Sequence, residues 1–494
     1  MEIFLSAALG ELTTRSINFI ISKCSKAPTH DVEDRLGRVL LRAQVIIDEA
    51  MWRHITNPAM HQKLDMLRNS MYRGYYILDT FRYQSHKEDE SKDQMVSHSS
   101  LLSKVNSVKD FCFSSGKRTH ILKEMCEVLD SLSSMIPDSD ELVLFLMSYP
   151  RMYREPYNMH LLLSKVMFGR QMERELMINF LLRKHPQGTK ELEVLPIVGP
   201  GKVGKSTLVA HVCNDERVRD QFSEIIFFNA HDFQDEVFTT LEGHAKKYHC
   251  VPNKDGRILI VVEATGDFSE GAWKRLYSAS KQYFTSGNKI IITSRSDKIV
   301  KFGTTRAITL KYLSNEEYWY LFKTLMFGST DPRTYPKLTN LAMEITQMLD
   351  GDIIAANGTA SVLRDNFDIQ FSCKVLSFLK GMLQKHVSKF GEHPNDVVRQ
   401  NRPAHLGRMG RPSEALIVYD QYQCSSMEKV PKITIADVMY GGIKPHGKFE
   451  VLGWRSQIPP CYNYIFNCEI RELKTAAAKR KRSMRNGANG VTLY

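Results

Sequence analysis

The chain has 494 residues, of which 43% are hydrophobic and 25% charged, a composition that is typical of a folded protein and excludes a wholly disordered one. Acidic residues stand where a signal peptide requires positive charge, and no uninterrupted apolar stretch is long enough to span a bilayer, so we expect an intracellular protein. The nine cysteines are scattered singly, which indicates neither a disulfide framework nor a zinc site, and most of the net charge of +12 falls in residues 401–494.

Residues 1–145 are predicted to form helices, because apolar residues recur there at steps of three and four. The three apolar stripes run over residues 32–50, 64–81 and 121–135. Their short length and the polar breaks between them favour a helical bundle. Residues 85–107 are polar and charged, and we predict an exposed loop there. The bundle is either a module that faces a partner or a membrane, or a packing domain, and the pattern alone does not decide between them.

A connecting segment follows at residues 146–165, where Pro150 and Pro156 interrupt the helical patterns. A helix is then predicted to begin within residues 168–176 and to end near residues 185–188, which include proline and glycine.

Residues 194–209 place a short apolar strand, a glycine-rich turn and an apolar helix in succession, with G-x-x-x-x-G-K-[ST] in the turn. This is the pattern of a phosphate-binding loop. The predicted nucleotide ligands in it are Gly199, Gly201, Gly204, Lys205, Ser206 and Thr207. The glycines let the backbone approach a polyphosphate, the lysine carries charge to the terminal phosphates, the serine hydroxyl binds Mg²⁺, and the threonine holds the inner phosphates. A glycine-rich turn with a solvated lysine is the alternative.

Strands then alternate with helices, which predicts an α/β fold: a parallel sheet with helices on both faces and the phosphate-binding loop at its carboxyl edge. The predicted strands are residues 224–228, 258–263, 289–294 and 308–310, and the predicted helices are residues 233–249 and 272–284.

The predicted Mg²⁺ partner of the loop is Glu263, which ends an apolar strand. Ala264 follows where a second carboxylate would polarise water, so we expect a slow ATPase at most. Asp267, three residues past Ala264, is the candidate replacement for that carboxylate; an ordinary loop aspartate is the alternative. Arg295 ends the next strand, near the expected terminal phosphate; a surface arginine is the alternative. Guanine-specific proteins of this class carry Asn-Lys-x-Asp, and residues 288–291 lack its aspartate, which favours an adenine nucleotide.

In this order, the segments resemble the NB-ARC signalling ATPases of plant intracellular immune receptors of the coiled-coil type. The resemblance rests on residues 168–170, 199–207, 222–228, 258–264, 292–295 and 310–322. Residues 1–145 are similar to the Rx-type N-terminal domain, with Asp79 in the acidic motif. The resemblance implies that Gly169 and Arg170 also contact the nucleotide, that ADP is held in a closed state and exchanged for ATP, and that the N-terminal domains then assemble into a signalling complex.

The chain departs from this family in three ways. Residues 351–355 read Gly-Asp-Ile-Ile-Ala and lack the proline of the family's Gly-Leu-Pro-Leu segment, no Met-His-Asp motif follows, and no leucine-rich repeat follows. We therefore expect a truncated, ADP- or ATP-binding switch or adaptor of plant innate immune signalling. The alternatives are a P-loop NTPase that couples hydrolysis to partner remodelling, and an interaction protein with a vestigial P-loop.

The predicted domains are an Rx-like helical domain, a linker, a P-loop domain, a small helical ARC-like subdomain and a basic region of unknown fold. Their ranges are residues 1–145, 146–165, 166–330, 331–400 and 401–494. In the last of these, residues 432–435 and 449–452 resemble strands. The basic run Lys479, Arg480, Lys481 and Arg482 is either a nuclear address or a solvated end, so a cytoplasmic location with a nuclear option is expected.

The expected partners are other immune receptors or signalling proteins that bind the N-terminal helices. Self-association and membrane contact stay open, and neither is specifically indicated. Nucleic acid is not expected as a partner, because no aromatic residues are interleaved with the basic run to stack on bases.

Overall fold

The structure is a computed structural model that describes residues 29–51, 53, 55–95, 120–136, 144, 146–149, 167–183, 192–229, 257–264, 269–283, 287–400, 402–424, 430–456, 458 and 461–473. Residue contacts divide the chain into two units. The first is Met1–Thr324 with Ile458–Pro460, and the second is Leu325–Gln457 with Cys461–Tyr494. The domain boundaries expected from the sequence stay a prediction.

Three helices make up most of the described N-terminal region. They are α1 (Thr29–Met51), α2 (Pro58–Met95) and α3 (residues 120–135). The apolar stripes that predicted these helices are buried, as Leu36 on α1, Leu67 on α2 and Leu129 on α3 illustrate. The helical prediction for these stretches is therefore confirmed.

The predicted loop over residues 85–107 is wrong in its first part, because α2 continues to Met95. Residues 85–95 contain no glycine or proline, and their lysine, glutamate and glutamine residues favour a helix even without an apolar stripe. Residues 96–107 lie outside the described residues.

A five-stranded parallel sheet forms the centre of the first unit, with strand order β2-β3-β4-β1-β5. The strands are β1 (Glu193–Val198), β2 (Glu224–Asn229), β3 (Ile258–Glu263), β4 (Lys289–Ser294) and β5 (Ile308–Thr309). The helices of this part are α4 (Gln171–Leu182), α5 (Lys205–Cys213), α6 (Glu216–Gln221) and α7 (Glu270–Tyr283), with a 3-10 helix at Asp297–Phe302. Helix α8 (Asn315–Phe327) crosses the boundary between the units.

Both faces of this sheet are buried, because alternate residues of each strand enter two separate cores. On β3, Ile260 packs with Leu276 of α7 in one core, whereas Val261 packs with Leu208 of α5 in the other. A strand covered on both sides reads as a continuous apolar run, which is what made these strands visible in the sequence. The predicted α/β fold is confirmed.

Three details of this unit differ from the prediction or lie beyond the description. Helix α4 ends at Leu182, a few residues before the predicted end at 185–188. The predicted helix over residues 233–249 lies outside the described residues, as do residues 150–165 of the predicted linker.

The second unit combines helices with a four-stranded antiparallel sheet of order β6-β7-β9-β8. Its helices are a 3-10 turn at Pro332–Thr334, α9 (Pro336–Met348), α10 (Ile353–Asp365), α11 (Ile369–Phe390), α12 (Pro394–Arg399) and α13 (Ile435–Met439). Its strands are β6 (Ala404–Gly407), β7 (Glu414–Cys424), β8 (Lys448–Arg455) and β9 (Asn463–Glu472). Val418, Val438, Val451 and Phe466 share its core.

One of the two strands predicted in this region is confirmed and the other is wrong. Residues 449–452 lie in β8, but residues 432–435 form no strand, and only Thr434 makes a single bridge, to Leu452. Thr434 instead begins α13 with a capping box, in which its hydroxyl and the Asp437 carboxylate each accept the other's backbone N–H. The basic residues 479–482 lie outside the described residues.

Among the described helices, none combines the length with the apolar composition that a membrane crossing requires.

Candidate nucleotide-binding site

The predicted phosphate-binding loop, residues 199–204, leaves β1 and enters α5 at the carboxyl edge of the parallel sheet. Because β1 pairs with β4, and β4 with β3, the ends of these three strands lie side by side. Glu263 ends β3, and Arg295 directly follows β4. Both are close enough to Lys205 to affect its pKa. The fold therefore brings together three charged residues that the sequence suggested one at a time.

The backbone of the loop accounts for two of its glycines. Gly204 has φ of 94°, and a Cβ there would lie 2.6 Å from the Met167 side chain. A Cβ at Gly199 would lie 2.4 Å from the Leu310 carbonyl oxygen. A side chain at Gly199 would force the neighbouring backbone to move, so close approach requires a glycine there. At Gly204 the left-handed backbone conformation favours glycine, since the flexible end of Met167 could move aside. A Cβ at Gly201 would meet the Arg295 guanidinium at 3.2 Å, which places that arginine directly beside the loop.

Lys205 folds back onto the loop that precedes it. Its Nζ donates to the carbonyl oxygens of Gly199, at 2.8 Å, and Pro200, at 2.7 Å. The pKa of Lys205 is lowered to about 8, mainly by burial and also by repulsion from Arg295, while attraction by Glu263 partly opposes both. A polyphosphate beside this ammonium group would stabilise its charged form and raise the pKa again.

The first turn of α5 completes the phosphate-facing part of the site. Gly204 occupies the N-cap position and supplies no side chain to cap the helix. The amino end of a helix has a positive dipole and N–H donors, which favours an anion there. Ser206 and Thr207 lie in this turn and are half-buried.

Both predicted Mg²⁺ ligands carry oxygen donors. Ser206 offers a hydroxyl and Glu263 a carboxylate, and oxygen ligands of this kind suit Mg²⁺, which also keeps water and phosphate ligands. Within the described ranges, no group of three or more His, Cys, Asp or Glu residues forms a metal cage. Ser206 and Glu263 therefore fit a Mg²⁺ site in which the protein supplies two ligands and the nucleotide and water supply the others. Asp267 lies outside the described residues.

Residues 310–313, which we call the strap, follow β5 and lie against the loop. The Tyr312 hydroxyl donates to the Gly201 carbonyl oxygen at 2.9 Å. Tyr312 is 44% exposed, so this hydrogen bond lies at an open edge of the site. Sequence reasoning assigned Tyr312 no role, because its contact with the loop arises only from the pairing of β5 with β1.

Gly169 and Arg170 also lie against the strap. Gly169 has φ of 69°, and a Cβ there would lie 2.8 Å from the Leu313 side chain. The Arg170 guanidinium is buried and donates to the Lys311 carbonyl oxygen and, at 3.4 Å, to Glu173. Arg170 therefore holds the strap, and its predicted contact with a nucleotide stays a prediction, as does that of Gly169.

Within the first unit, the N-terminal helices contact α8 through a buried carboxylate. Asp79 on α2 accepts hydrogen bonds from Trp319 Nε1 at 2.8 Å and Lys323 Nζ at 2.7 Å, both on α8. We call these three residues the clasp. Beside it, the Tyr72 ring lies 4.8 Å from that of Tyr320, between centroids. The acidic-motif residue is thus an acceptor at an internal interface.

The NB-ARC domain profile matches residues 171–331, which include the loop, the sheet and the strap. This part of the chain is an NB-ARC domain. Disease resistance protein RGA2 of Solanum bulbocastanum is 24% identical over 351 residues, covering 67% of this chain and 34% of RGA2. Putative disease resistance RPP13-like protein 1 of Arabidopsis thaliana is 23% identical over 395 residues, covering 74% of this chain and 36% of that protein. The resemblance to plant NB-ARC resistance proteins is confirmed.

The chain spans about a third of the length of these relatives. Among solved structures, the replication initiator DnaA bound to AMPPCP and single-stranded DNA is 15% identical, with a TM-score of 0.28 over 46% of this chain and 73% of that one. At that score the likeness adds nothing to what the sheet order already shows.

Proposed function

We propose that this NB-ARC chain is an adenine-nucleotide switch or adaptor in plant immune signalling, holding ADP at rest and exchanging it for ATP. The observation that carries the proposal is the meeting of Lys205, Glu263 and Arg295 around the phosphate-binding loop at one sheet edge. A lysine and an arginine beside an uncapped helix start form a strongly anion-binding arrangement. Ser206 and Glu263 are the proposed Mg²⁺ ligands.

Retention of the nucleotide is favoured over rapid turnover by the residue after Glu263. Ala264 is buried among apolar side chains and offers no carboxylate to polarise an attacking water. Hydrolysis without such a base is slow, because orienting and activating the water is part of the catalytic work. A protein that hydrolyses slowly is suited to remain in one nucleotide state for a long time.

A switch also needs two conformations that bind the nucleotide unequally, since equal affinity shifts no population. The strap and the clasp are the elements that support this part of the proposal. The strap contacts the loop through Tyr312 and the Phe168–Arg170 turn through Lys311 and Leu313. The clasp joins α8, which begins just after the strap, to the N-terminal helices. These helices are the proposed binding site for other immune signalling proteins.

The test is to identify the nucleotide that co-purifies with the full chain after denaturation. We expect an equimolar amount of ADP in the wild type and in Lys274→Ala, an exposed-lysine control on α7, and little in Lys205→Ala. A folded wild-type protein without measurable affinity for ADP or ATP would contradict the proposal. Rapid steady-state ATP hydrolysis would favour the NTPase alternative.

A further inference from the structure

The second unit contains a cavity of about 620 Å³ between α11 and the antiparallel sheet. Protein pockets for small molecules are typically about 300–1,000 Å³. The lining comes mainly from one face of α11, from β6 and the turn after it, and from the start of β7. None of these residues belongs to the nucleotide site, so the cavity needs a separate explanation.

The α11 face that lines the cavity has an apolar centre with lysines on both sides. Phe378 and Met382 form the centre, Lys374 precedes them, and Lys385 and Lys389 follow. This spacing places all five on one side of a helix. The three lysines are exposed, and within the described part of the chain none of them forms an ion pair with a carboxylate. Lys389 Nζ lies 4.9 Å from the centre of the Phe390 ring, but a cation–π contact at an exposed site is weak and leaves the charge available to a ligand, as are those of Lys374 and Lys385.

The single acidic residue of the lining is already neutralised. Glu414 is buried, receives a hydrogen bond from Arg408, and lies 2.5 Å from Lys444 Nζ. The Lys444 hydrogen bond, with help from Arg408, lowers the pKa of Glu414 below its usual value. The carboxylate is thus ionised and paired, and the cavity as a whole is positive. A positive apolar cavity is complementary to an anion with an apolar body.

Aromatic side chains line the end of the cavity near Lys389. The Phe390 ring lies 4.7 Å from the His386 ring and 5.0 Å from the His405 ring, between centroids. Burial lowers the pKa of both histidines, so both rings are neutral at pH 7. A row of neutral rings offers a surface on which a flat aromatic molecule can stack.

Gly381 keeps the middle of the cavity open. It lies inside α11, where glycine lowers helix stability relative to alanine. No atom lies within 4 Å of the position that its Cβ would occupy, so no close approach requires a glycine there. The consequence of this residue is open volume next to Phe378 and Met382.

We propose that this cavity binds a small aromatic anion, with its ring against Phe378, Met382 and Phe390 and its acidic group on Lys385 and Lys389. The ligand class follows from the size, the rings and the unpaired lysines of the cavity. The site is independent of the nucleotide site, so it stands or falls separately from the proposed switch.

The probe for the test is 1-anilinonaphthalene-8-sulfonate, an aromatic anion whose fluorescence rises in an apolar site. It is titrated into the full chain with ADP in excess, and its neutral analogue N-phenyl-1-naphthylamine is titrated in parallel. Gly381→Leu fills the cavity, and Lys385→Glu with Lys389→Glu reverses its charge. The matched controls are Gly271→Leu, another helix glycine with open space, and Lys274→Glu with Lys281→Glu on α7.

We expect Gly381→Leu to weaken binding of both probes by at least about tenfold, without lowering the thermal midpoint, because leucine favours a helix. We expect the lysine double variant to weaken the sulfonate probe by about tenfold and the neutral probe by less than about twofold. The controls should bind as the wild type does. If folded Gly381→Leu binds as the wild type, or if both probes lose affinity equally in the lysine variant, the proposal is overturned.

Discussion

Replacing Asp79 by alanine should destabilise the first unit by separating α2 from α8. The carboxylate is 8% exposed and accepts from both the Trp319 indole and the Lys323 ammonium group. Its removal leaves a buried N–H donor and a nearly buried cation without that acceptor, and the side chain of Lys323 is only 13% exposed. A buried polar group that is left without its partner costs the desolvation of that group, whereas replacing both partners by apolar groups can be nearly neutral.

The size of the effect follows from what remains around the lysine. Breaking a buried ion pair by removing one partner costs about 3–5 kcal/mol. Lys323 Nζ still lies 4.8 Å from the centre of the Tyr75 ring and 5.7 Å from that of Trp319, which retains part of its stabilisation. We therefore expect a loss near the lower limit, about 3 kcal/mol in the free energy of unfolding. Asp79→Asn keeps an oxygen acceptor and should cost about 1–2 kcal/mol.

The assay is urea unfolding at a fixed excess of ADP, followed by circular dichroism and tryptophan fluorescence. Glu33→Ala is the control, because its ion pair with Arg82 on α2 leaves both side chains partly exposed, at 24% and 32%. That control should cost no more than about 1 kcal/mol. A double-mutant cycle of Asp79→Ala with Lys323→Met isolates the pair. Additive effects in the cycle, or an Asp79→Ala variant as stable as Glu33→Ala, would refute the reasoning.

Three further predictions concern the nucleotide site. Tyr312→Phe removes the hydrogen bond to Gly201, so the ADP affinity measured by calorimetry should fall about fivefold, equivalent to about 1 kcal/mol. The thermal midpoint should not change. An unchanged affinity would mean that the bond does not hold the loop in its binding form. The pKa of Lys205 is about 8 in the free protein and should rise when phosphate binds, so ADP affinity should fall as pH increases from 7.5 to 9. Proton uptake, measured in two buffers of different ionisation enthalpy, checks the sign, and proton release would contradict it. Ala264→Asp supplies the missing carboxylate and should raise steady-state ATP hydrolysis at least about tenfold over the wild type. The uncharged Ala264→Asn should not raise it. Equal rates in the two variants would show that the missing charge does not limit turnover.

The parallel sheet and its phosphate-binding loop were predictable because their signals are local. Each central strand is an apolar run, because its alternate residues enter the cores on the two faces of the sheet. The loop is a fixed sequence pattern between such a strand and a helix. Glu263 and Arg295 could be suspected for the same reason, since each stands at the end of an apolar strand. Parallel strands end at one edge, so the sequence order already implies that such residues meet.

The antiparallel sheet was largely missed because its strands do not read that way. The first half of β7 is buried and mainly apolar. Its second half, residues 419–424, is mainly polar, and its side chains are partly or fully exposed. The pattern therefore changes within one strand, and the pairing with β9 also shifts between Val418 and Asp420. A bulge of this kind breaks the two-residue period on which recognition of a strand depends.

The strap and the clasp could not be predicted, because they join residues 111 and 240 positions apart in the chain. Both use groups that are ordinary on their own, a tyrosine hydroxyl and a helix carboxylate. Their contacts follow one another along a short stretch of chain. Tyr312 donates to the loop, and the carbonyl oxygen of its neighbour Lys311 accepts from Arg170. Helix α8 begins just after the strap and brings Trp319 to Asp79. A loop that moves on nucleotide exchange must therefore either carry the strap with it or break the Tyr312 hydrogen bond.

Contact alone does not establish coupling, which requires that both sites bias the same two-state element. The strap touches both the loop and the Phe168–Arg170 turn, so it is the element that we expect to take two positions if nucleotide exchange switches this chain.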